Sequence, residues 1–424
     1  MQNKRILLVE PNFPIQPKSK NHHNFLPIGL LKIASYLRNK GHKIKLIRGN
    51  PNDPKKISEI MEFNPDEIWV TSLFTYWAKY VRETVQYYKH MFPKAKIIVG
   101  GIYATLMPKH CKKYTGCDEV FQGIHPEAEN HPPAYDLVKN ANPHPIDYQI
   151  IHASRGCIRK CPFCGTWKLE PEFKPKKSIK KEVKFKKIIF YDNNFLANPY
   201  VENILNELKE LRKLGKIEWC EAQSGFDGRI LLEKPYLAEM IREAGFRYPR
   251  IAWDWEYSQY PQIEKQINLL KDAGYRSYDI YVFMLYNWDI PFEEMEKKRI
   301  KCWEWKVQIA DCRYRPLDQT FDNYNPRVLG QTNKDYHIHK GWTDLLVKQF
   351  RRNVRRQNIC VRQKVPFYSK QLERKKLGKK RIREIIQTAR KIKEKNKLIK
   401  YLEDINIDYW FPDEITFPEQ NKLK

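Results

Sequence analysis

Short apolar segments alternate with amphipathic segments over most of the first 320 residues. RILLVE at 5–10 is a strand candidate, and Leu30, Ile33 and Leu37 behind it recur at the spacing of one helix face. Further strand candidates in the first third are KIKLI (43–47), EIWVTSL (67–73), KIIVGG (96–101) and EVFQG (119–123). Because strands separated by helices pair in parallel, the pattern predicts a doubly wound, Rossmann-like α/β domain over 1–130, with ligands at the carboxyl ends of its strands.

The alternation resumes after a segment rich in Pro and Asn at 131–146, which we interpret as a linker. Six strand candidates follow: DYQIIHA (147–153), KIIFYD (187–192), EWCEAQ (218–223), RIAWDWE (250–256), YDIYVFML (278–285) and VQIADC (307–312). Six such units in a row predict a partial (β/α)6 TIM-like barrel over 147–320, with its chemistry at the strand carboxyl ends. We expect a basic, mainly helical extension over 321–424.

Three cysteines lie close together in SRGCIRKCPFCGTWK (154–168), directly after the first of these six strands. Nine cysteines in a long chain without an export signal favour reduced thiols, and a close triplet among them indicates a metal site. Cys157, Cys161 and Cys164 could hold three irons of a [4Fe–4S] cube and leave the fourth iron open. The alternative is a zinc site completed by His152 or a distant cysteine, although zinc knuckles usually come as paired clips.

The C-x3-C-x2-C spacing, in this place, resembles that of the radical S-adenosylmethionine (SAM) enzymes over about residues 148–316. The resemblance implies that the amino and carboxylate groups of SAM occupy the open iron. It also implies that an electron from the reduced cluster cleaves SAM to a 5′-deoxyadenosyl radical. A reductant protein of the flavodoxin or ferredoxin type is the partner that such chemistry requires.

The resemblance also assigns roles to residues, beginning with Cys157, Cys161 and Cys164 as the cluster ligands. It places Phe163 near the adenine and Glu256 at the polar contact to the ribose or carboxylate. The family's Gly-Gly-Glu-like segment, which receives the SAM amino group, is replaced by other polar residues at the end of the second strand. The remaining candidates for SAM binding are therefore Asp192, Asn193, Asn194 and, at the end of the third strand, Gln223.

The first domain resembles the cobalamin (B12)-binding domains, whose pattern is D-x-H-x-x-G, 41 residues, S-x-L, 26 to 28 residues and G-G. Here Gly29 is followed after 41 residues by Thr71-Ser72-Leu73, and after 26 more by Gly100-Gly101. We therefore assign cobalamin contacts to Leu26, Gly29, Thr71, Leu73, Gly100 and Gly101.

The same register places Asn24 at the aspartate of the pattern and Leu26 at the cobalt-ligating histidine, with His22 and His23 out of register. A leucine offers no lone pair to a metal. Two interpretations follow: cobalamin is bound without a histidine below the cobalt, or the scaffold is kept and the corrin is lost.

Positive charge is concentrated near the end of the chain, whose overall net charge is +28. Between Lys348 and Lys400 there are 21 Lys or Arg residues and three Glu residues. Apolar residues recur at a helical period over 374–402, with basic residues on the other positions. Such a block is either a solvated helix face or a surface for nucleic acid or another polyanion.

No segment reaches the roughly 18 consecutive apolar residues that span a bilayer, so we expect no membrane partner and a cytoplasmic protein. The favoured function is a radical SAM enzyme acting on an unidentified substrate, with cobalamin-dependent methyl transfer as one form of it. The alternative is a nucleic-acid-binding protein with a structural cysteine site and a basic tail. Four irons per chain would indicate the first function, and zinc the second.

Overall fold

The computed structural model describes residues 3–14, 26–139, 146–375 and 377–418. Contacts group the chain into two compact units that are not continuous in sequence. Unit 1 consists of 1–194, 214–218 and 315–324, and unit 2 consists of 195–213, 219–314 and 325–424. The predicted boundaries at residues 130, 146 and 320 stay predictions.

Unit 1 contains nine strands and eight helices among its described residues. The strands are β1 (Arg5–Glu10), β2 (Lys43–Arg48), β3 (Glu67–Ser72), β4 (Lys96–Gly101), β5 (Glu119–Val120), β6 (Tyr148–Ile151), β7 (Ser154–Arg155), β8 (Lys174–Pro175) and β9 (Lys187–Phe190). The α-helices are α1 (Ile28–Asn39), α2 (Pro54–Phe63), α3 (Ala78–Met91), α4 (Ile102–Leu106), α5 (Pro108–Thr115), α6 (Pro126–Glu129), α7 (Asp136–Lys139) and α8 (Thr166–Leu169).

The first five strands form one parallel sheet in the order β2-β1-β3-β4-β5. All residues from Ile6 to Val9 are buried, so helices cover both faces of the sheet. The strand order reverses between β1 and β3, and in doubly wound folds ligands bind at the carboxyl ends beside such a reversal. The predicted Rossmann-like N-terminal domain is confirmed.

The segment predicted as a linker is packed over its first part. The Ala134 amide donates to the Leu31 carbonyl oxygen of α1 (3.0 Å), and the Ile150 amide of β6 donates to the Tyr135 hydroxyl (2.9 Å). Val138 is buried in α7. Ala134 and Val138 therefore pack within unit 1, while 140–145 lie outside the described residues and the linker assignment stays a prediction.

Unit 2 has four strands and nine helices among its described residues. The strands are β10 (Trp219–Ala222), β11 (Arg250–Ala252), β12 (Tyr281–Tyr286) and β13 (Gln308–Arg313). The α-helices are α9 (Val201–Lys213), α10 (Gly228–Glu233), α11 (Leu237–Glu243), α12 (Tyr260–Asp272), α13 (Phe292–Glu304), α14 (Asp344–Gln363), α15 (Lys370–Glu373), α16 (Lys379–Lys391) and α17 (Lys395–Asp404).

Strands alternate with helices in unit 2 as the sequence predicts, and β11, β12 and β13 form a parallel sheet in that order. The outer strand β13 is fixed to α14, because the Asn358 side chain accepts from the Ile309 amide (2.9 Å) and donates to the Ile309 carbonyl (2.7 Å). No helix of the described residues is long and apolar enough to cross a membrane.

The helical period over 374–402 is divided between two helices. α16 ends at Lys391 and α17 begins at Lys395. The break lets Leu398 and Leu402 of α17 join the buried cluster that contains Ile385 and Ala389 of α16. The apolar residues of α16 and α17 therefore bury one another because the chain folds back between the two helices, and not because they lie on one long helix.

Residues 412–416, which we call the C-terminal strap, cover a buried ion pair on α13. Arg299 pairs with Glu296 (2.8 Å), and neither side chain is exposed. The Arg299 guanidinium also donates to the carbonyl oxygens of Pro412 and Glu414 (both 2.6 Å), and the Thr416 amide donates to Glu296 (3.3 Å). The strap therefore satisfies charged groups that are separated from it by more than 100 residues.

Candidate active site

The cysteine triplet lies on the loop between β7 and α8, and β7 is held by antiparallel pairing with β8. Cys157, Cys161 and Cys164 are free thiols, and each is partly exposed, unlike the buried cysteines of the two cores. A cofactor bound by partly exposed thiols keeps a face that a second molecule can reach. The loop therefore suits a cofactor with such an accessible face.

Backbone amides point at two of the three sulfurs. The Arg159 amide donates to the Cys157 sulfur (3.3 Å), and the Thr166 amide donates to the Cys164 sulfur (3.5 Å). The Trp167 indole N–H donates to the Cys161 carbonyl oxygen (3.2 Å), which closes the loop on α8. Because N–H donors favour the negatively charged form of sulfur, this loop is shaped for thiolate ligands.

Asp192, just beyond β9, holds the start of the loop in place. Its carboxylate accepts from the Ala153 amide (3.0 Å), the Ser154 amide (2.5 Å) and the Ser154 hydroxyl (2.7 Å). Burial raises the pKa of Asp192 to about 6, against the effect of these three donors. Both carboxylate oxygens are thus occupied within the chain, and the predicted contact of Asp192 with SAM stays a prediction.

Asn193 connects the same strand end to the far side of the loop. Its side chain accepts from the Thr166 hydroxyl (3.3 Å) and donates to Glu170 (3.2 Å), which also accepts from the Gly156 amide (2.6 Å). Asn194 follows and is buried. The structure therefore brings Asn193 together with the cysteine loop, a link that sequence spacing did not indicate.

The other predicted SAM residues are placed as follows. Phe163 is half-buried on the cysteine loop. In unit 2, Gln223 follows β10 with its side-chain oxygen buried and without a hydrogen bond from any described residue. Glu256 is exposed beyond β11, where its carbonyl accepts from the Trp253 indole (3.1 Å). These three assignments stay predictions.

In the described part of the chain, no three His, Cys, Asp or Glu side chains are placed to share one metal ion. His152, the zinc ligand of the alternative interpretation, is buried at the end of β6 and packs edge-on against the Tyr191 ring at 6.2 Å. Burial, with Arg155 and Lys32 nearby, lowers the pKa of His152 well below its ordinary value. His152 is therefore a neutral core residue in this structure.

Four of the six predicted cobalamin residues, Thr71, Leu73, Gly100 and Gly101, lie at the carboxyl ends of β3 and β4, where Thr71 pairs with Gly100 and Ser72 with Gly101. The Ser72 hydroxyl donates to the Gly100 carbonyl (2.7 Å) and accepts from the Ala104 amide (3.1 Å). Gly101 has φ of 97°, and a Cβ there would lie 2.2 Å from the Ser72 carbonyl oxygen. Only glycine fits at 101, whereas a Cβ at Gly100 would meet nothing closer than 3.8 Å.

Leu26 is buried immediately before α1, and its carbonyl accepts from the Ile28 amide (2.8 Å). Gly29 is exposed in the first turn of α1, with open space around it, and Leu73 is half-buried after β3. Asn24, His22 and His23 lie outside the described residues. Of the residues that the spacing pattern assigns to cobalamin, those on β3 and β4 lie at one edge of the sheet. The roles of Leu26 and Gly29 stay predictions.

An aromatic group beside this sheet edge was missed by the sequence interpretation. Phe74 is exposed and stacks on Tyr76 at 4.9 Å, and Trp77 stacks on Phe13 at 5.2 Å. The Arg315 guanidinium lies 4.6 Å from the centre of the Tyr76 ring. The run FTYW at 74–77, directly after the S-x-L segment, was the available signal. An exposed aromatic at this edge offers a flat apolar contact to a ligand.

The edge of β4 and the cysteine loop meet within unit 1. A Cβ on Gly165, the residue after Cys164, would lie 3.8 Å from the Leu106 side chain at the end of α4. A chain of charges also joins the two parts. Glu129 binds Lys32 of α1 (2.8 Å) and Arg155 of β7 (3.4 Å), and Arg155 in turn reaches Glu170. The two candidate cofactor sites are thus neighbours.

Unit 2 holds a further, half-buried carboxyl group at the carboxyl end of its sheet. Asp254 follows β11 and accepts from the Leu285 amide (3.1 Å), and burial raises its pKa to about 6 despite the nearby Lys298 ammonium. Lys298 donates to the carbonyl oxygens of Trp253 and Trp255 (both 2.7 Å), and burial lowers its pKa to about 8. These groups could exchange protons near neutral pH. The only sequence signal for them was the position of WDWE at a strand end.

Comparison with known proteins relates the chain to cobalamin proteins. Residues 21–131 match the family model of the B12 binding domain. The sequence matches none of the curated proteins.

The solved structure of the cobalamin-dependent S-adenosylmethionine radical enzyme OxsB with aqua-cobalamin bound matches with a TM-score of 0.50 and 14% sequence identity. It covers 72% of this chain and 52% of OxsB. The apo, selenomethionine-labelled OxsB structure matches with a TM-score of 0.48, 16% identity and the same coverage. This chain thus spans about half the length of the OxsB chains. Residues 21–131 thus resemble the B12 binding domain, and over the matched part the chain shares the α/β fold of the solved OxsB chain.

Proposed function

We propose that this protein is a radical SAM enzyme in which Cys157, Cys161 and Cys164 hold a [4Fe–4S] cluster. The observation that supports the proposal most directly is the loop itself. Its three thiols are accessible, two of its sulfurs face backbone N–H donors, and its start is fixed by three hydrogen bonds to Asp192. In an enzyme of this class, the reduced cluster cleaves SAM to a 5′-deoxyadenosyl radical, which abstracts hydrogen from the substrate.

The residues around the loop have separable tasks under this proposal. The three cysteines bind the cluster. The backbone amides of Arg159 and Thr166 stabilise the thiolate charge of the sulfurs that they face. Asp192 and Asn193 keep the two sides of the loop at a fixed position relative to the end of β9. Because Asn193 binds Glu170 and Thr166, it also links that strand end to the segment that follows the last cysteine.

We also propose that cobalamin binds at the carboxyl edge of β3 and β4, and that methyl transfer is the reaction it serves. The family match over 21–131 supports cobalamin binding. The closeness of Gly165 to Leu106 supports methyl transfer, because a cobalamin that carries a methyl group must lie near the SAM site to exchange it. Leu26 has no lone pair, so the cobalt would have no imidazole ligand from this position. The substrate itself is not identified by these residues.

The cluster proposal is tested by anaerobic reconstitution with iron and sulfide, followed by SAM and dithionite. We expect about four irons per chain and release of 5′-deoxyadenosine. Cys157→Ala, Cys161→Ala and Cys164→Ala should each abolish release, whereas Cys312→Ala, at an exposed cysteine outside the loop, should not. Zinc in place of iron, or normal turnover in a loop variant, would contradict the assignment.

The cobalamin proposal has a separate readout. After incubation with hydroxocobalamin and desalting, the wild-type protein should keep about one corrin per chain, detected by its visible absorbance. EPR of the cobalt(II) form should lack nitrogen splitting from an axial imidazole, and Leu26→His is the variant in which such splitting could appear. Loss of all corrin on desalting would favour a scaffold that no longer binds it.

A further inference from the structure

The basic block of the sequence consists of two parts that differ in how their charges are used. In α14 and the residue after it there are seven Lys or Arg residues, and each has a partner inside unit 2. Lys348 pairs with Asp344 (2.5 Å), Arg355 pairs with Glu373, and Arg362 donates to Gln308 (3.0 Å). The others are Arg351 beside Asp311, Arg352 on Gln349, Arg356 over Tyr368 and Lys364 over Tyr278.

Four of the six cations of α16 are not used in this way, whereas Arg381 pairs with Glu384 (3.8 Å) and Arg390 donates to the Gln363 carbonyl oxygen. Lys379, Lys380, Arg383 and Lys391 are exposed, and none of them has a hydrogen bond, ion pair or ring contact with another described residue. Positions 380, 383, 387 and 391 are separated by three and four residues, so they lie along one helix face. Gln387 is the uncharged member, and this face spans about 16 Å at the usual helical rise. Lys379 lies one turn before Arg383 and borders the same face, and we call Lys379, Lys380, Arg383 and Lys391 the α16 basic face.

The opposite side of α16 is already buried. Ile385 and Ala389 pack in the cluster with Leu398, Leu402 and Phe411. A helix that lies on a membrane needs a free apolar face to enter the lipid, and α16 has none to offer. Protein interfaces are depleted in lysine and centred on apolar or aromatic groups, which the α16 basic face also lacks. Binding to a nucleic acid backbone needs neither, because release of counterions from phosphates supplies the affinity.

We infer that the α16 basic face binds the phosphodiester backbone of a nucleic acid. Arg383 lies about 5–6 Å from Lys379 and Lys380, and Lys391 lies about 12 Å farther along the helix, so the four cations can contact several phosphates of one strand. Three of the four cations are lysines, which contact phosphates as point charges, and the face has no aromatic side chain to stack on bases, so it should bind with little sequence preference. This inference is independent of the proposed SAM chemistry, and each can fail without the other.

The test compares two full-length variants with equal loss of charge. The first is Lys379→Gln, Lys380→Gln, Arg383→Gln and Lys391→Gln. The control is Lys55→Gln, Lys56→Gln, Lys109→Gln and Lys113→Gln, four exposed lysines of unit 1 whose side chains likewise have no contact with another described residue. Binding of labelled single-stranded RNA and DNA, each of the same 20-nucleotide sequence, is measured from 50 to 300 mM salt.

We expect the α16 variant to bind at least 10-fold more weakly at 100 mM salt. The slope of log K against log salt should fall by about 3, since each lost phosphate contact removes about 0.7. The control should keep the wild-type slope, and both variants should keep the wild-type melting temperature and release of 5′-deoxyadenosine. If the wild-type protein binds one of the two nucleic acids more tightly, that preference shows whether RNA or DNA supplies the phosphodiester backbone.

Equal weakening in both variants would overturn the inference, because net charge alone would then explain binding. So would binding of the wild-type protein to anionic phospholipid vesicles but to neither nucleic acid. Loss of 5′-deoxyadenosine release in the α16 variant with unchanged nucleic acid binding would equally contradict it, because the face would then serve the catalytic site.

Discussion

Asp192 accepts hydrogen bonds from both the amide and the hydroxyl of Ser154, and so fastens the end of β9 to the strand that enters the cysteine loop. The two residues are 38 positions apart in sequence. Asp192 thus ties the start of the cysteine loop to the end of β9, a positioning role that can be tested.

Asp192→Asn should destabilise the protein more than Ser154→Ala does. The asparagine turns an acceptor into a donor that faces a buried backbone amide, which costs about 1–3 kcal/mol, whereas loss of the serine hydroxyl costs about 1 kcal/mol. The free energy of unfolding from urea titration measures both. Iron bound after reconstitution should fall in the asparagine variant and stay near normal in the alanine variant. Equal stability of the two variants would argue against the carboxylate as the anchor.

The two glycines after β4 should respond differently to alanine. In Gly101→Ala the new methyl group would lie 2.2 Å from the Ser72 carbonyl, at a φ that alanine rarely adopts, so we expect a loss of several kcal/mol or failure to fold. Gly100→Ala has room, and its melting temperature should stay within a few degrees of wild type. If cobalamin lies against this edge, Gly100→Ala should still weaken corrin retention. Full retention would place the corrin elsewhere.

His152 should make stability depend on pH on the acid side. Its pKa is lowered well below the ordinary 6.5 in the folded state, so only the unfolded chain binds the proton as pH falls. The stability that the neutral ring provides is present above pH 6.5 and is lost below it. Between pH 6.5 and 5 the wild type should lose more stability than His152→Phe, which keeps a ring against Tyr191. Parallel pH profiles would contradict this assignment.

The buried pair on α13 should behave as a coupled unit. Arg299→Met leaves the Glu296 carboxylate buried without its partner, which typically costs about 3–5 kcal/mol. The double variant Glu296→Met with Arg299→Met removes both charges and should be more stable than the single variant. Chemical unfolding of the two variants measures the difference. Additive losses would show that the two charges do not depend on each other.

Periodicity predicted the strands and helices well, because alternation of apolar segments directly reflects burial in a parallel sheet. RILLVE and KIIVGG are strands with the predicted bounds. The helical period over 374–402 correctly indicated helix but not the break at 392–394, since the break depends on which distant residues cover Leu398. In such places, contacts between residues that are distant in sequence override the local helical periodicity.

Candidate site residues could be named from the sequence where the chemistry depends on spacing, but their hydrogen-bond partners could not. The spacing of the three cysteines and the register of the Gly100-Gly101 pair selected them as candidates, and their roles stay predictions. The sequence could count the charges of the basic block, but it could not show that α14 uses all of its cations within unit 2. Likewise, nothing local to Asp192 indicates that its donors come from Ala153 and Ser154.

The C-terminal strap has a consequence for how the chain is made. Arg299 receives two of its hydrogen-bond acceptors from Pro412 and Glu414, which are synthesised 113 and 115 residues later. At 5–20 residues per second, roughly 6 to 23 s pass between translation of Arg299 and of Pro412. During that interval the Arg299 guanidinium lacks two of the acceptors that it has in the folded protein. Unit 2 can therefore complete the surroundings of this ion pair only after the strap has been synthesised.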